Sequence, residues 1–432
     1  MEADSIAVIQ MFGKHLLYIL LDGLGDRAVQ SLGGRTPLEA AEHPCLDELA
    51  KKGVSGVVYT VGEGIAPESD VAVISMLGYD PIKTYTGRGP IEVFGSGMTM
   101  KNGDLAVRCN FATVGENFKI IDRRCGRSLT TDGAQILADA INTEVKLESH
   151  SASFEFKSTV GHRAVLLIKS LHGKLSGNVS NTDPAYQKVK GLGLALKTFD
   201  NMVKRCEPLD RTIGAKRAAD LLDEFTIKSH EILKRHPLNA QRSSAGKPPA
   251  NAVLSRDAGS SLPNFQSISK LYGFEFASMV EMPVEKGIAL LCGMDVVELP
   301  KASGNLAIDY ERRAELTNEL ISTYGGVYIH IKGPDEPAHD GDCESKKKAI
   351  ELIDSYFFKN LQVDLSNTVV VVTADHSTPC SLKAHSDDPV PLLATGCTIK
   401  SDGTKTFGES NCRRGSLGKL NGQEVLKRII AL

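Results

Sequence analysis

Apolar residues in this chain fall in short unbroken runs set between longer mixed stretches. Leu16–Leu21 (LLYILL), Ala164–Ile168 (AVLLI), Gly326–Ile331 (GVYIHI) and Thr368–Thr373 (TVVVVT) are too short for buried helices and rich in β-branched residues. They read as strands of a sheet covered on both faces, because a half-exposed strand would alternate with polar residues. Between the runs lie helical patterns. Thr36–Gly53 opens on Thr36-Pro37-Leu38-Glu39, a start signal, and stops at Gly53. Asp342–Asn360 and Gly422–Leu432 also read as helices. Strand alternating with helix predicts an α/β fold with a mostly parallel sheet and helices on both faces.

The middle of the chain, from about Gly89 to Arg256, is richer in charge. His236–Asn251 (HPLNAQRSSAGKPPAN) carries the Pro, Gly and Ser punctuation of a connector. At 432 residues the chain exceeds an ordinary single α/β domain. The expected organisation is a discontinuous core, residues 1–88 and 258–432, interrupted by a second domain over 89–257.

Charge narrows the function. Fifty basic and 53 acidic residues leave a net charge of -3, which makes no electrostatic case for a nucleic-acid partner or an anionic membrane surface. No run approaches the ~20 apolar residues of a membrane helix. The start Met1-Glu2-Ala3-Asp4 lacks the features of a secretory signal, so a cytoplasmic protein is expected. Nine cysteines without a C-x-x-C pair suggest neither a zinc ribbon nor a disulfide framework.

Chemistry concentrates where strands end. Leu16–Leu21 runs into Asp22-Gly23-Leu24-Gly25-Asp26. Gly326–Ile331 leads to Asp335-Glu336-Pro337-Ala338-His339, and Thr368–Thr373 to Ala374-Asp375-His376, with His385 beyond. In an open parallel sheet, ligands bind beyond the carboxyl ends of the strands. Asp335 and His339 share one face of a helical turn. A lone D-x-x-x-H or D-H pair is usually an ordinary surface feature; several at separate strand exits point to a site. Carboxylate with imidazole suits zinc, manganese or similar ions, and three Asp with three His serve two ions if one more oxygen joins. Ser69, in Pro67-Glu68-Ser69-Asp70, is the candidate. It reads either as a plain helix N-cap or as a hydroxyl offered to phosphate at a helix start, where a metal would favour its alkoxide. No G-x-S-x-G elbow accompanies it.

Together, Asp22-Gly23, Pro67-Glu68-Ser69-Asp70, Asp335-x-x-x-His339, Asp375-His376 and His385 resemble the alkaline phosphatase superfamily. More narrowly, the chain resembles the archaeal-type cofactor-independent phosphoglycerate mutases over nearly its whole length. Supporting stretches include Asp22–Arg27 (DGLGDR), Tyr85–Pro90 (YTGRGP), Asp122–Arg127 (DRRCGR) and Asn181–Pro184 (NTDP). One departure stands out: Arg256-Asp257-Ala258-Gly259 carries Asp257 where an Arg-Gly-Ala-Gly stretch is expected.

The resemblance implies an alkaline-phosphatase-like core with an inserted α+β lid. It implies interconversion of 3-phosphoglycerate and 2-phosphoglycerate in glycolysis and gluconeogenesis, without 2,3-bisphosphoglycerate and through a phosphoserine at Ser69. Asp22, Ser69, Asp375 and His376 would hold one divalent ion, and Asp335, His339 and His385 the other. Manganese, zinc, cobalt and magnesium all stay open. Lys286 would span the phosphate and the nucleophile. Asp122, Arg124, Arg127, His162, Arg163, Asp183 and Arg256 would grip the glycerate, and closure of the lid would exclude water. The small-molecule substrate is the only partner implied; oligomeric state is left open, a homo-oligomer included. The alternative is a metal-dependent phosphatase or another phosphotransferase of the superfamily. Lys346-Lys347-Lys348 reads as the wet face of a helix.

Overall fold

Every residue of Leu16–Leu21 is sealed from solvent in the computed structural model, which describes residues 15–189, 192–196, 198–397 and 399–432. The run lies in β1 (His15–Leu21), near the middle of a sheet whose other strands are β2 (Val54–Tyr59), β3 (Phe276–Met279), β4 (Asp295–Val296), β5 (Gly326–Ile331), β6 (Thr368–Thr373), β7 (Val390–Gly396) and β8 (Gly418–Asn421). The order across the sheet is β4-β3-β5-β1-β6-β7-β2-β8. β1 pairs in parallel with β5 (Leu16 beside Gly326) and with β6 (Leu16 beside Val369). Only β7 runs against its neighbours. The fold is therefore α/β with a mostly parallel sheet, and β1, β5 and β6 deliver their carboxyl ends to one edge.

This sheet belongs to one of two compact units, the residues up to Thr84 together with Phe265–Leu432; Tyr85–Asn264 form the other. The second unit is α+β. Its antiparallel sheet is built on Leu105–Val114, which pairs with Arg163–Ser170 on one side and Ala252–Gly259 on the other. The run Ala164–Ile168 thus belongs to an antiparallel sheet rather than to the parallel one. It is still unbroken because both faces are covered: Ala164, Leu166 and Ile168 join one apolar cluster, Val165 and Leu167 another.

Three element boundaries differ from expectation. Thr36–Gly53 is two helices, Pro37–Ala40 and Pro44–Lys52. The Thr36–Glu39 capping box starts the first, and Pro44 forces a new start because proline excludes its predecessor from helical geometry. His236–Asn251 is not a free connector. His236 caps a helix, Pro237–Ser244, through Nδ1, with proline at the tolerated first position, and the helix buries its own Asn239 and Arg242. Third, Gly422–Leu432 is a 3₁₀ turn, Gly422–Glu424, running into the helix Val425–Ile430. Among the described residues no helix is long and apolar enough to cross a membrane.

Candidate active site

The exits of β1, β5 and β6 meet. Ligand-type atoms of Asp22, Asp375 and His376 lie within 4.8 Å of one another, as do those of Asp335, His376 and His385. His376 belongs to both groups. Gly23 lets the chain turn away behind Asp22, with φ +64 and Asp335 so close that a Cβ would lie 2.8 Å from the Cβ of Asp335. Its amide donates to Asp375 Oδ1 at 3.2 Å. The helix Ser69–Met76 begins at Ser69, with Glu68 as its N-cap. Ser69 is thus not the cap, and its hydroxyl lies 3.1 Å from His376 Nε2.

The three histidines present the same edge. His385 Nδ1 lies 2.8 Å from the Pro67 carbonyl, and His339 Nδ1 lies 3.1 Å from that of Lys383. A carbonyl only accepts, so both Nδ1 atoms carry the proton and both Nε2 atoms face the site. Nδ1 of His376 lies 3.0 Å from the Thr378 hydroxyl, which itself donates to Asp335 Oδ1 at 2.7 Å. His376 Nδ1 is therefore a donor too, and its Nε2 turns to Ser69, to Asp22 Oδ1 at 3.4 Å and to Asp375 Oδ2 at 3.3 Å. His339 Nε2 meets Asp335 Oδ2 at 3.4 Å. Imidazoles fixed at Nδ1 by an acceptor, with Nε2 free, are the usual form of metal-ligating histidine.

The carboxylates fit a cation as well. Asp22 Oδ1 and Asp375 Oδ2 are buried and accept no hydrogen bond, a costly state for charged oxygen. Burial pushes the Asp22 carboxyl up to about 7; Lys332 opposes this, while Asp375 and Asp335 add to it. Burial acts on Asp335 too, but the His339 hydrogen bond and the nearby imidazoles hold it well below the usual carboxylate range. The bond to Asp335 raises His339 to about 9, and burial lowers His385. The donor set, its orphaned oxygens and its histidine orientations all fit divalent metal ions.

Several partners were not expected. Lys332, the first residue after β5, reaches Asp22 Oδ2 at 2.8 Å and Glu285 Oε1 at 2.6 Å. His330 is sealed within β5, between Glu285 at 3.3 Å and Asp375 at 3.4 Å. Burial lowers its pKa, but Glu285 and Asp375 outweigh it and hold His330 near about 10. A histidine inside an apolar run and a lysine at its end were the available signals. Lys286 follows Glu285 on the helix Pro283–Leu291, but its side chain is 39% exposed and its ammonium lies 3.9 Å from Glu298. The lysine found among the carboxylates is Lys332. Lys346 also corrects the reading of its run: Lys348 is exposed, whereas Lys346 is fully buried.

The second unit gathers a different cluster. Asp183, buried, accepts from Arg123 Nε at 2.9 Å and Arg256 Nη1 at 3.1 Å. Arg256 lies over the Tyr186 ring at 4.3 Å and has Asp257 Oδ2 3.5 Å from its Nε. Asp257 sits at φ 58, the left-handed region where glycine is at ease and aspartate is tolerated, which explains the glycine expected there. Glu92 binds Arg88 at 2.6 Å and Arg108 at 3.3 Å. Burial, then Arg163 and Arg124, push His162 down to about 3; burial, then Arg88, push Arg108 down to about 10. Arg163 and Arg124 are lowered by burial as well. Asp122 accepts from the Arg124 amide at 2.6 Å, and Arg127 ends a 3₁₀ turn, Cys125–Arg127. Cations crowded and desolvated to this degree favour an anion among them.

A family model described as 2,3-bisphosphoglycerate-independent phosphoglycerate mutase matches residues 50–239. The protein of that name from Aeropyrum pernix is 42% identical over 425 residues, covering 96% of this chain and 99% of its own. A 2,3-bisphosphoglycerate-independent phosphoglycerate mutase from Methanocaldococcus jannaschii is 38% identical, covering 97% of each chain. Among solved structures, a protein from Pyrococcus horikoshii superposes with a TM-score of 0.77 at 31% identity over 97% of both chains. The cofactor-independent phosphoglycerate mutase from Thermoplasma acidophilum gives 0.62 at 32% identity, over 96% of this chain and 99% of that one.

Proposed function

The chain belongs to the 2,3-bisphosphoglycerate-independent phosphoglycerate mutases and is an isomerase that interconverts 3-phosphoglycerate and 2-phosphoglycerate; we propose that it works through a phosphoserine at Ser69. The observation that carries this reading is the Ser69 hydroxyl, 3.1 Å from His376 Nε2 at the first turn of a helix, beside both groups of Asp and His side chains.

In the forward direction Ser69 Oγ bonds to phosphorus as the bond from phosphorus to the C3 oxygen breaks. That oxygen leaves with the electron pair and takes up a proton. The glycerate turns, and its C2 hydroxyl gives up a proton as it attacks the phosphoserine and frees Ser69. Asp22, Ser69, Asp375 and His376 are assigned to one divalent ion, and Asp335, His339 and His385 to the other. When bound, the two ions offset charge on the entering and leaving oxygens and favour the alkoxide of Ser69 at neutral pH. Thr378 holds the proton on His376 Nδ1, so Nε2 keeps its lone pair on the Ser69 side. Lys332 opposes the upward push of burial on the Asp22 carboxyl and, with His330, holds Glu285 in its charged form. Lys286 is assigned to the transferring phosphoryl group. Asp122, Arg124, Arg127, His162, Arg163, Asp183 and Arg256 are assigned to the glycerate carboxylate and hydroxyls, with planar guanidinium suited to both carboxylate and phosphate. Manganese is the first ion to test, before zinc, cobalt and magnesium, and the cytoplasm is the proposed setting.

The test is an enolase-coupled assay on metal-stripped protein, given one ion at a time without bisphosphoglycerate. The expected outcome is 2-phosphoglycerate without free phosphate, and loss of 2-phosphoglycerate formation on Ser69→Ala. Release of inorganic phosphate instead would mark a phosphatase. Full activity in Ser69→Ala would remove Ser69 as nucleophile.

A further inference from the structure

Lys346 lies on the helix Cys343–Tyr356, apart from every residue assigned above to metal, and has no exposed surface. Its ammonium has three protons and three acceptors: the Gly25 carbonyl at 3.1 Å, Asp26 Oδ2 at 2.8 Å and the Thr378 carbonyl at 3.0 Å. Gly25 and Asp26 belong to the loop that leaves β1 after Asp22. Thr378 belongs to the loop that leaves β6 through Asp375 and His376. The two loops are also joined directly, by Thr378 N donating to the Gly25 carbonyl at 2.9 Å and Cys380 N donating to Asp26 at 3.2 Å.

We propose that Lys346 is a positioning residue for the mutase reaction: it clamps these two loops together and so sets the separation of Asp22 from Asp375 and His376. Burying an ammonium is costly unless every proton finds an acceptor. Here two of the three acceptors are main-chain carbonyls, one on each loop, which a simple charge pair with Asp26 would not require. An arginine or a neutral side chain could not meet the same three points from the same stem. The clamp touches neither Ser69 nor a metal-ligating atom, so its effect passes through the backbone and through Thr378, whose hydroxyl orients His376 and Asp335.

The inference rests on the two-metal reading of the site, and its test separates the two. Lys346→Met leaves Asp26 buried without its cation, so lower thermal stability is expected. Lys346→Met with Asp26→Asn removes that charge and regains most of the lost stability. In both variants, amide hydrogens of residues 22–26 and 375–380 in the metal-free protein should exchange at least about tenfold faster than in the parent. Manganese affinity, measured against a competing chelator, should fall by roughly 10- to 100-fold, and kcat should fall with KM nearly unchanged. If the double variant regains loop protection and manganese affinity together with stability, Lys346 is only the partner of Asp26 and the proposal is wrong. Should the single variant not fold, the double variant decides alone. A parent protein that binds no manganese, zinc or cobalt would sink the metal reading, while loop exchange would still judge Lys346.

Discussion

His376 gives its Nδ1 proton to the hydroxyl of Thr378 across 3.0 Å, and that hydroxyl passes its own proton to Asp335 at 2.7 Å. One threonine therefore ties a residue of the Asp22 group to a residue of the other group. Thr378→Val keeps the shape and removes the relay. Mutase activity is expected to fall roughly 10- to 100-fold, with thermal stability lowered by only about 1 kcal/mol. Unchanged kcat and metal affinity in the valine variant would count against the relay.

Two glycines with nearly the same backbone angle should respond differently to alanine. Gly23 has φ +64 and Gly33 φ +68, yet nothing lies within 4 Å of a Cβ at Gly33, whereas at Gly23 the Cβ would lie 2.8 Å from the Cβ of Asp335. Gly33→Ala is expected to cost only the left-handed strain, about 1 kcal/mol, and to keep activity. Gly23→Ala must also displace Asp335, so activity should be lost. Chemical denaturation alongside the coupled assay distinguishes strain from displacement.

Glu409, outside both groups of Asp and His side chains, should give the fold a pH dependence. It is buried, with Oε2 2.6 Å from the Thr36 hydroxyl and Oε1 accepting from the Asp26 amide at 3.1 Å. Burial, reinforced by Glu39, pushes its carboxyl up to about 7 from an ordinary 4.5. A raised carboxyl favours the folded state fully below its unfolded pKa and loses that contribution as pH rises through the folded value. Glu409→Gln reproduces the neutral form, its amide donating to Thr36 and its oxygen accepting from Asp26. The variant should match the parent at about pH 4 and exceed it at about pH 8, by on the order of 3 kcal/mol if the whole shift is expressed. Parallel melting curves across that range would refute the assignment.

Asp257 stands 3.5 Å from Arg256 Nε, where it would compete with an incoming anion under the proposed role of Arg256. Asparagine keeps the side-chain shape and tolerates the left-handed φ of 58 at this position. Asp257→Asn should lower KM for phosphoglycerate by roughly two- to fivefold, the effect of removing a modest charge interaction, with kcat little changed. A raised KM would mean that Asp257 orients Arg256 rather than competing at it.

What was legible in the sequence follows from what periodicity records. The unbroken runs of β1, β5 and β6 announced buried parallel strands, so the carboxylates just beyond them could be placed at one edge. Lys332 and His330 lay within reach of the same argument, since one ends and the other interrupts an apolar strand. Lys346 did not. Beside Lys347 and Lys348 it looks solvated, and its burial depends on acceptors 320 residues away at Asp26 and 32 away at Thr378. Thr378 was hidden for a related reason: its role is a pair of hydrogen bonds, and hydroxyl orientation leaves no pattern along a chain. Ser69 was ambiguous because a helix start suits a cap and a nucleophile equally, until Glu68 proved to be the cap.

β1 pairs with β5 and β6 on its two sides, and neither exists when β1 leaves the ribosome. At roughly 5–20 residues per second, the roughly 300 residues between β1 and β5 take about 15–60 s to synthesise. For that interval LLYILL is an apolar strand with both edges open, the kind of segment that recruits other chains. The segment Tyr85–Asn264 is continuous and can fold meanwhile, whereas the sheet whose strand exits gather the Asp and His side chains must wait for the last quarter of the chain. Translation speed and chaperone supply, rather than final stability, should therefore govern how much active protein a cell obtains.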